Sequence, residues 1–235
     1  MYHNNNNSLY LAKEKKMVKD FPDVNCSLNN PNGLLAIGGD LSINRLLAAY
    51  KKGIFPWFNE GQPILWWSPN PRCVMKPNEM HISRSLSKHL RSKKFIITYN
   101  QNFKNVINEC SSNRNNNDTW LTNSMIEAYI NLHNSGYAHS VECWHDQKLV
   151  GGLYGVAMGK IFFGESMFSK ESDASKISLV YLSRRLCEMR FKIIDCQISS
   201  DHLLKLGAKL ISRKKFTKIL INYCNLNKTA FDKDN

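Results

Sequence analysis

Two short stretches, residues 149–157 and 160–166, meet at Met158 and Gly159 and constrain the fold more than any other part of the chain. Both are rich in aromatic, aliphatic and glycine residues, and Gly159 supplies the conformational freedom that a tight reversal needs, so they read as a β-hairpin. A helical pattern over 174–189 leads into an apolar stretch at 192–198. Joining a strand to a later strand through a helix of that length makes the two strands parallel. Upstream, strands are expected at 73–75, 95–99 and 139–144. Helices are expected at 83–93, around 103–110, and at 123–135 behind Thr122 as a cap. The consequence is a mixed α+β fold, an antiparallel meander followed by a late strand–helix–strand step.

Ahead of this region the texture differs. The first twenty residues are polar, Asn-rich and Lys-rich, and read as a weakly ordered lead-in. Turn residues then alternate with apolar ones through Pro31-Asn32-Gly33-Leu34-Leu35-Ala36-Ile37-Gly38-Gly39-Asp40, and Ser42 can cap a short helix through Leu46, Leu47 and Tyr50 that ends at Gly53. Residues 53–72, crowded with aromatics and prolines, read as an ordered but irregular connection. Regular patterns begin after Arg72. The expected organisation is a lead-in at 1–20, a small N-terminal domain at 21–70, a larger domain at 71–224 and a polar tail at 225–235. With 235 residues and 43% hydrophobic content, the chain can fill a sizeable core.

Charge points to the partner. The chain carries 32 Lys+Arg against 19 Asp+Glu, a formal net charge of +13, which favours a polyanion and, first of all, a nucleic acid. Its seven cysteines are odd in number and contain no C-x-x-C pair, which argues against a disulfide framework or zinc finger and for a reducing compartment. The N-terminus lacks the apolar segment of a secretory signal, and no stretch is apolar enough to span a bilayer. A cytoplasmic protein without membrane attachment is expected.

Three acidic or amide side chains stand out. In 191–198 strict strand alternation puts Asp195 and Gln197 on one face, about 7 Å apart. A carboxylate in such apolar surroundings needs a partner or a task; a satisfied core pair and a catalytic pair fit equally well. Glu165, within Phe162-Phe163-Gly164-Glu165-Ser166-Met167-Phe168, either stands as one charge in an apolar pocket or turns to solvent at a strand end. Trp57, Trp66, Trp67 and Trp120 can line a pocket or stack on a base, with Trp66 and Trp67 favoured as core. Arg84, Lys88 and Arg91 share one face of the 83–93 helix, either as a track for phosphates or as an ordinary solvated surface. No histidine has metal-ligand spacing, and no G-x-S-x-G, G-x-G-x-x-G or Walker A sequence occurs.

Several longer motifs occur in one order: Pro31 to Ser42, Gly53-Ile54-Phe55-Pro56-Trp57-Phe58, Ile64-Leu65-Trp66-Trp67-Ser68-Pro69, His81-Ile82-Ser83-Arg84-Ser85, Gly164-Glu165-Ser166-Met167-Phe168-Ser169 and Ile194-Asp195-Cys196-Gln197. Together they resemble the signatures of bacterial leucyl/phenylalanyl-tRNA–protein transferases, from about Phe21 to Tyr223. Relatives usually carry Asp where Asn70 stands, Gly where Asp118 stands and often Met where Leu153 stands. The resemblance implies a small N-terminal domain followed by a GNAT-like (acetyltransferase-like) domain. It implies transfer of Leu or Phe, and less readily Met, from tRNA to proteins beginning with Lys or Arg, marking them for the N-end rule. No cofactor or metal is implied, and a monomer is expected. It makes Asp195, Gln197 and Glu165 catalytic, with Leu153, Phe162, Met167 and Leu182 around the donor side chain. It assigns Trp57 and Trp120 to the terminal adenosine of the tRNA, and Arg84, Lys88, Arg91, Lys93 and Lys94 to acceptor-stem phosphates.

Two other readings compete. An acyl-CoA-dependent N-acetyltransferase shares the implied fold, but Ser169-Lys170-Glu171-Ser172-Asp173 stands where its pyrophosphate loop belongs. A catalytically silent tRNA-binding protein explains the charge but leaves Asp195, Gln197 and Glu165 without a role.

Overall fold

The computed structural model describes residues 10–12, 21–112, 121–225 and 231. A first sheet is built from β1 (Tyr10–Ala12), β2 (Leu34–Gly38), β3 (Phe55–Pro56) and β4 (Leu65–Trp67), in the order β1-β2-β4-β3, with helix α1 (Ile43–Lys51) between β2 and β3. β1 lies parallel to β2, so part of the segment expected as a lead-in joins the sheet. The stretch expected to be irregular contributes β3 and β4, which pair antiparallel. Ser42 caps α1 as expected, its side chain accepting from the Arg45 amide.

The second part runs β5 (Arg72–Met75), α2 (Arg84–Arg91), β6 (Ile96–Tyr99), α3 (Phe103–Ser112), α4 (Asn123–Asn134), β7 (Ala138–His145), β8 (Lys148–Met158), β9 (Ile161–Ser169), α5 (Ala174–Glu188), β10 (Ile193–Gln197), α6 (Asp201–Lys205), β11 (Lys209–Ile211) and α7 (Arg213–Tyr223). Its seven strands take the order β11-β5-β10-β9-β8-β7-β6. The antiparallel meander β6 to β9 and the parallel β9–β10 pair across α5 are the mixed α+β arrangement expected from the hairpin and the helix that follows it. The hairpin reverses at Gly159 and Lys160, one residue later than expected, with Gly159 at φ +61°.

Alternation places the core on both faces of this sheet. Val74, Phe163 and Ile193 pack with the first sheet, α1, α3, α4 and α7. Cys73, Phe162 and Ile194 pack on the opposite side with α2 and α5. Gly53 at φ +76° lets α1 end against α7; a Cβ there would stand 2.7 Å from the Phe216 ring. Phe231, in the segment expected as a polar tail, is buried against Phe162 and stacks on His139 at 4.6 Å. Among the described residues no helix is long and apolar enough to cross a membrane.

Candidate active site

Strands β9 and β10 run side by side, and α1 and α4 each send a tyrosine to Glu165 in the middle of β9. Tyr50 of α1 donates to Glu165 Oε1 at 2.8 Å, Tyr129 of α4 donates to Oε2 at 2.7 Å, and the two hydroxyl oxygens are 2.6 Å apart. Gln197 Nε2 adds a third bond, to Oε1 at 2.8 Å. As a carboxylate, Glu165 takes both tyrosine protons and leaves the contact between the two hydroxyl oxygens without one. When Glu165 is protonated it donates to one tyrosine, and that tyrosine turns its own proton to the other. Burial pushes the Glu165 carboxyl up to about 7, against the opposing pull of the Tyr129 and Tyr50 hydrogen bonds, and Asp195 adds to the rise. Burial first, and then the nearby Glu165 charge, holds both tyrosine hydroxyls well above their usual range. Glu165 is therefore not a strand-end charge turned to solvent.

Asp195 is completely buried. Arg72 of β5 grips it with two bonds, Nε to Oδ1 at 2.8 Å and Nη2 to Oδ2 at 2.6 Å, while Oδ1 also accepts from the Gln197 amide at 3.0 Å. The Arg72 guanidinium lies between the rings of Phe55 and Phe216, 4.8 and 4.7 Å from their centroids. Strict alternation along 191–198 does not hold. Asp195 pairs with Val74 but Gln197 with Cys73, so Cys196 is the extra residue of a bulge and Gln197 takes φ +61°. Asp195 consequently touches Gln197 through its backbone, and Gln197 turns its side chain to Glu165.

The wall of β9 beyond Glu165 opens into a cavity of about 310 Å³. Leu153, Phe162, Met167 and Leu182, expected around the donor side chain, line it together with Glu165 and Cys196. α6 closes one side with His202 and Leu203. Burial, with the Lys176 charge behind it, lowers the His202 pKa.

Of the residues expected to meet tRNA, the described ones lie at the surface. Trp57 is 40% exposed, with its ring tilted against Trp67 at 5.6 Å, while Trp66 is buried and Trp67 partly so. Trp120 lies outside the described residues. Ser83 caps α2, and Leu86 anchors it in the layer that holds Leu179 and Leu182 of α5. Arg84, Lys88, Arg91 and Lys93 are exposed. Lys94 differs from them: its ammonium is 2.7 Å from Glu171. Among the described residues no three His, Cys, Asp or Glu side chains gather as a metal site.

Sequence comparison shows what the chain is similar to. A model of the "Leucyl/phenylalanyl-tRNA protein transferase" family matches residues 74–221, and one of that family's N-terminal domain matches residues 39–70. The protein of that name from Cellvibrio japonicus is 55% identical over 205 residues, covering 87% of each chain. Its counterpart from Pseudomonas aeruginosa is 54% identical over 87% of this chain and 91% of that one. The chain belongs to the leucyl/phenylalanyl-tRNA–protein transferase family. Members of this family are aminoacyltransferases. A solved GCN5-related N-acetyltransferase from Kribbella flavida has 8% identity and a TM-score of 0.40, over 70% of this chain and 59% of that one.

For a leucyl/phenylalanyl-tRNA–protein transferase, the structure adds residues that the sequence did not single out. Arg72 closed an irregular connection, and Tyr50 and Tyr129 each sat on an ordinary helix face. Only the isolated acidic residues hinted at them, since a buried carboxylate requires donors from somewhere. His202 carried no signal, because it follows the motif strand in a short polar helix.

Proposed function

We propose that this transferase moves leucine or phenylalanine, and less readily methionine, from tRNA onto the N-terminal α-amine of proteins beginning with Lys or Arg, marking them for N-end rule degradation. On this reading it works in the cytoplasm as a monomer, with no metal or cofactor. Its N-terminal domain ends near residue 70. The observation that carries the proposal is the Glu165–Gln197 hydrogen bond at the wall of an apolar cavity.

An aminoacyl ester is already activated, so the protein has only to hold it, deliver the amine and manage charge and protons. The donor side chain occupies the cavity among Leu153, Phe162, Met167 and Leu182, where one methylene more or less changes binding by only about 1–3 kcal/mol. Such a pocket accepts Leu, Phe and Met alike. Because Gln197 Nε2 is committed to Glu165, its carbonyl oxygen is left to accept a hydrogen bond from the attacking amine. The amine nitrogen bonds to the ester carbonyl carbon, and the proton it sheds passes to the Glu165 carboxylate. The bond from that carbon to the ribose oxygen then breaks, and the proton leaves with the ribose hydroxyl. Both Asp195 oxygens are engaged by Arg72 and the Gln197 amide, so Asp195 acts by fixing Gln197. Trp57 and Trp120 receive the terminal adenosine, and Arg84, Lys88, Arg91 and Lys93 follow the acceptor-stem phosphates. Lys94 contributes less, being paired with Glu171.

The test is to incubate purified protein with radiolabelled Leu-tRNA and a peptide beginning with Arg, without ATP or coenzyme A, beside the same peptide N-acetylated. Label is expected on the free-amine peptide alone. No label on either, with acetylation once acetyl-CoA is added, would replace this reading by an N-acetyltransferase. The α5 N-terminus speaks against that outcome. Asp173 and Glu171 stand there, paired with Lys176, His89, Lys94 and His145, where a pyrophosphate would have to bind.

A further inference from the structure

We propose that Cys73 and Cys196 form an oxidisable dithiol, and that joining them as a disulfide shuts the transfer site. None of the seven cysteines, all of them among the described residues, forms a disulfide. These two are set apart by the bulge in β10, which puts Cys196 and Gln197 together opposite Cys73 of β5. Residues facing one another in an antiparallel pair have Cα atoms about 4.5–5.5 Å apart, inside the range of about 4.4–6.8 Å that a disulfide tolerates. Cys196 packs against the buried cluster that contains Cys73.

Access is one-sided. Cys73 is completely buried, whereas Cys196 is half-buried and lines the cavity beside Glu165. An oxidant small enough to enter the donor cavity therefore reaches Cys196 first. The neighbouring Cys196 thiol, helped by Arg72 and opposed by burial and Asp195, lowers the Cys73 thiol, while Cys73, burial and Asp195 hold the Cys196 thiol well above its usual range, so the pair gives up one proton readily and keeps the second. One thiolate is what the chemistry requires. Cys196 passes its proton to the Cys73 sulfur, the Cys196 thiolate attacks a peroxide oxygen, the O–O bond breaks and a sulfenic acid forms at Cys196 with release of hydroxide. The Cys73 sulfur then attacks the sulfenic sulfur and expels a second hydroxide. Two thiols and one hydrogen peroxide give one disulfide and two waters.

A Cys73–Cys196 bond ties down the extra residue of the bulge next to Gln197. Gln197 holds its hydrogen bond to Glu165 only through its left-handed backbone at that point. Loss of transfer on oxidation thus rests on the site reading above; formation of the disulfide does not.

The experiment treats the reduced full chain with hydrogen peroxide, blocks free thiols with N-ethylmaleimide under denaturing conditions, and identifies linked peptides by mass spectrometry. A Cys73–Cys196 peptide is expected, with transfer to the Arg peptide falling more than tenfold and returning with dithiothreitol. Cys73→Ala should keep its basal activity, give no linked peptide, and leave a sulfenic acid at Cys196 that dimedone traps. Should that variant not fold, Cys196→Ser, scored by the absence of the linked peptide, replaces it. Oxidation of the exposed Cys26 and Cys187 without a Cys73–Cys196 peptide overturns the dithiol. The linked peptide with undiminished transfer overturns the shut-off. Reduced protein with no transfer at all overturns the functional reading alone, and the linked peptide still decides the dithiol.

Discussion

Glu165 ties the chemistry of the site to the stability of the fold, and Glu165→Gln separates the two. In the folded chain its carboxyl titrates at about 7, against 4.5 as the ordinary value. The folded state therefore holds this proton more tightly than the unfolded chain. Its stabilising contribution is complete below about pH 4.5 and is lost as the pH rises through about 7. A difference of about 2.5 units is worth at most about 3.4 kcal/mol. Screening at the cavity mouth reduces this to about 2 kcal/mol. Glutamine keeps the shape and can still bond to both tyrosines and to Gln197, but it does not titrate. Urea unfolding of both proteins between pH 5 and 8.5 should show the variant gaining on the wild type by about 2 kcal/mol across that window. Groups elsewhere titrate in both proteins and cancel. Parallel stability curves would refute the raised carboxyl and with it the proton-acceptor role. In the wild type, transfer should rise with pH through an apparent pKa near 7, and in Glu165→Gln it should be lost while tRNA binding persists.

Other perturbations test separate parts of the site. Arg72→Met leaves the Asp195 charge buried without its partner and should cost about 3–5 kcal/mol in urea unfolding; a change below 1 kcal/mol would mean the ion pair does not hold β5 to β10. Trp57→Ala should leave stability nearly unchanged, because the ring is 40% exposed, and should weaken binding of an aminoacylated tRNA by about 1–3 kcal/mol in a filter-binding assay. Unchanged binding would move the terminal adenosine elsewhere. Replacing Arg84 and Lys88 together by Ala should shallow the plot of log affinity against log salt by about 1.5, whereas Lys94→Ala, already paired with Glu171, should barely change it. Equal effects would place the acceptor stem nearer α5.

What could be read from the sequence follows from how far each signal reaches along the chain. Ser42, Ser83 and Thr122 each cap a helix through the amide three residues on, so their signals are complete within one turn. The hairpin at Gly159 is equally local. The position of β5 is not: nothing between Arg72 and Met75 says that the strand will cross the sheet to lie beside β10. Arg72 and Asp195 are 123 residues apart, and Tyr50 and Glu165 are 115 apart. Pairs so distant leave no periodicity, only a carboxylate among apolar neighbours that must find donors. Strict alternation failed at Gln197 for a related reason. The extra residue of a bulge is defined by its partner strand, and no pattern within β10 announces which strand that will be. Asp195, Gln197 and Glu165 could therefore be picked out one by one, but not how they are wired. Bonds to Arg72, Tyr50 and Tyr129, from three other elements, determine that Glu165 borders the cavity while Asp195 lies behind it.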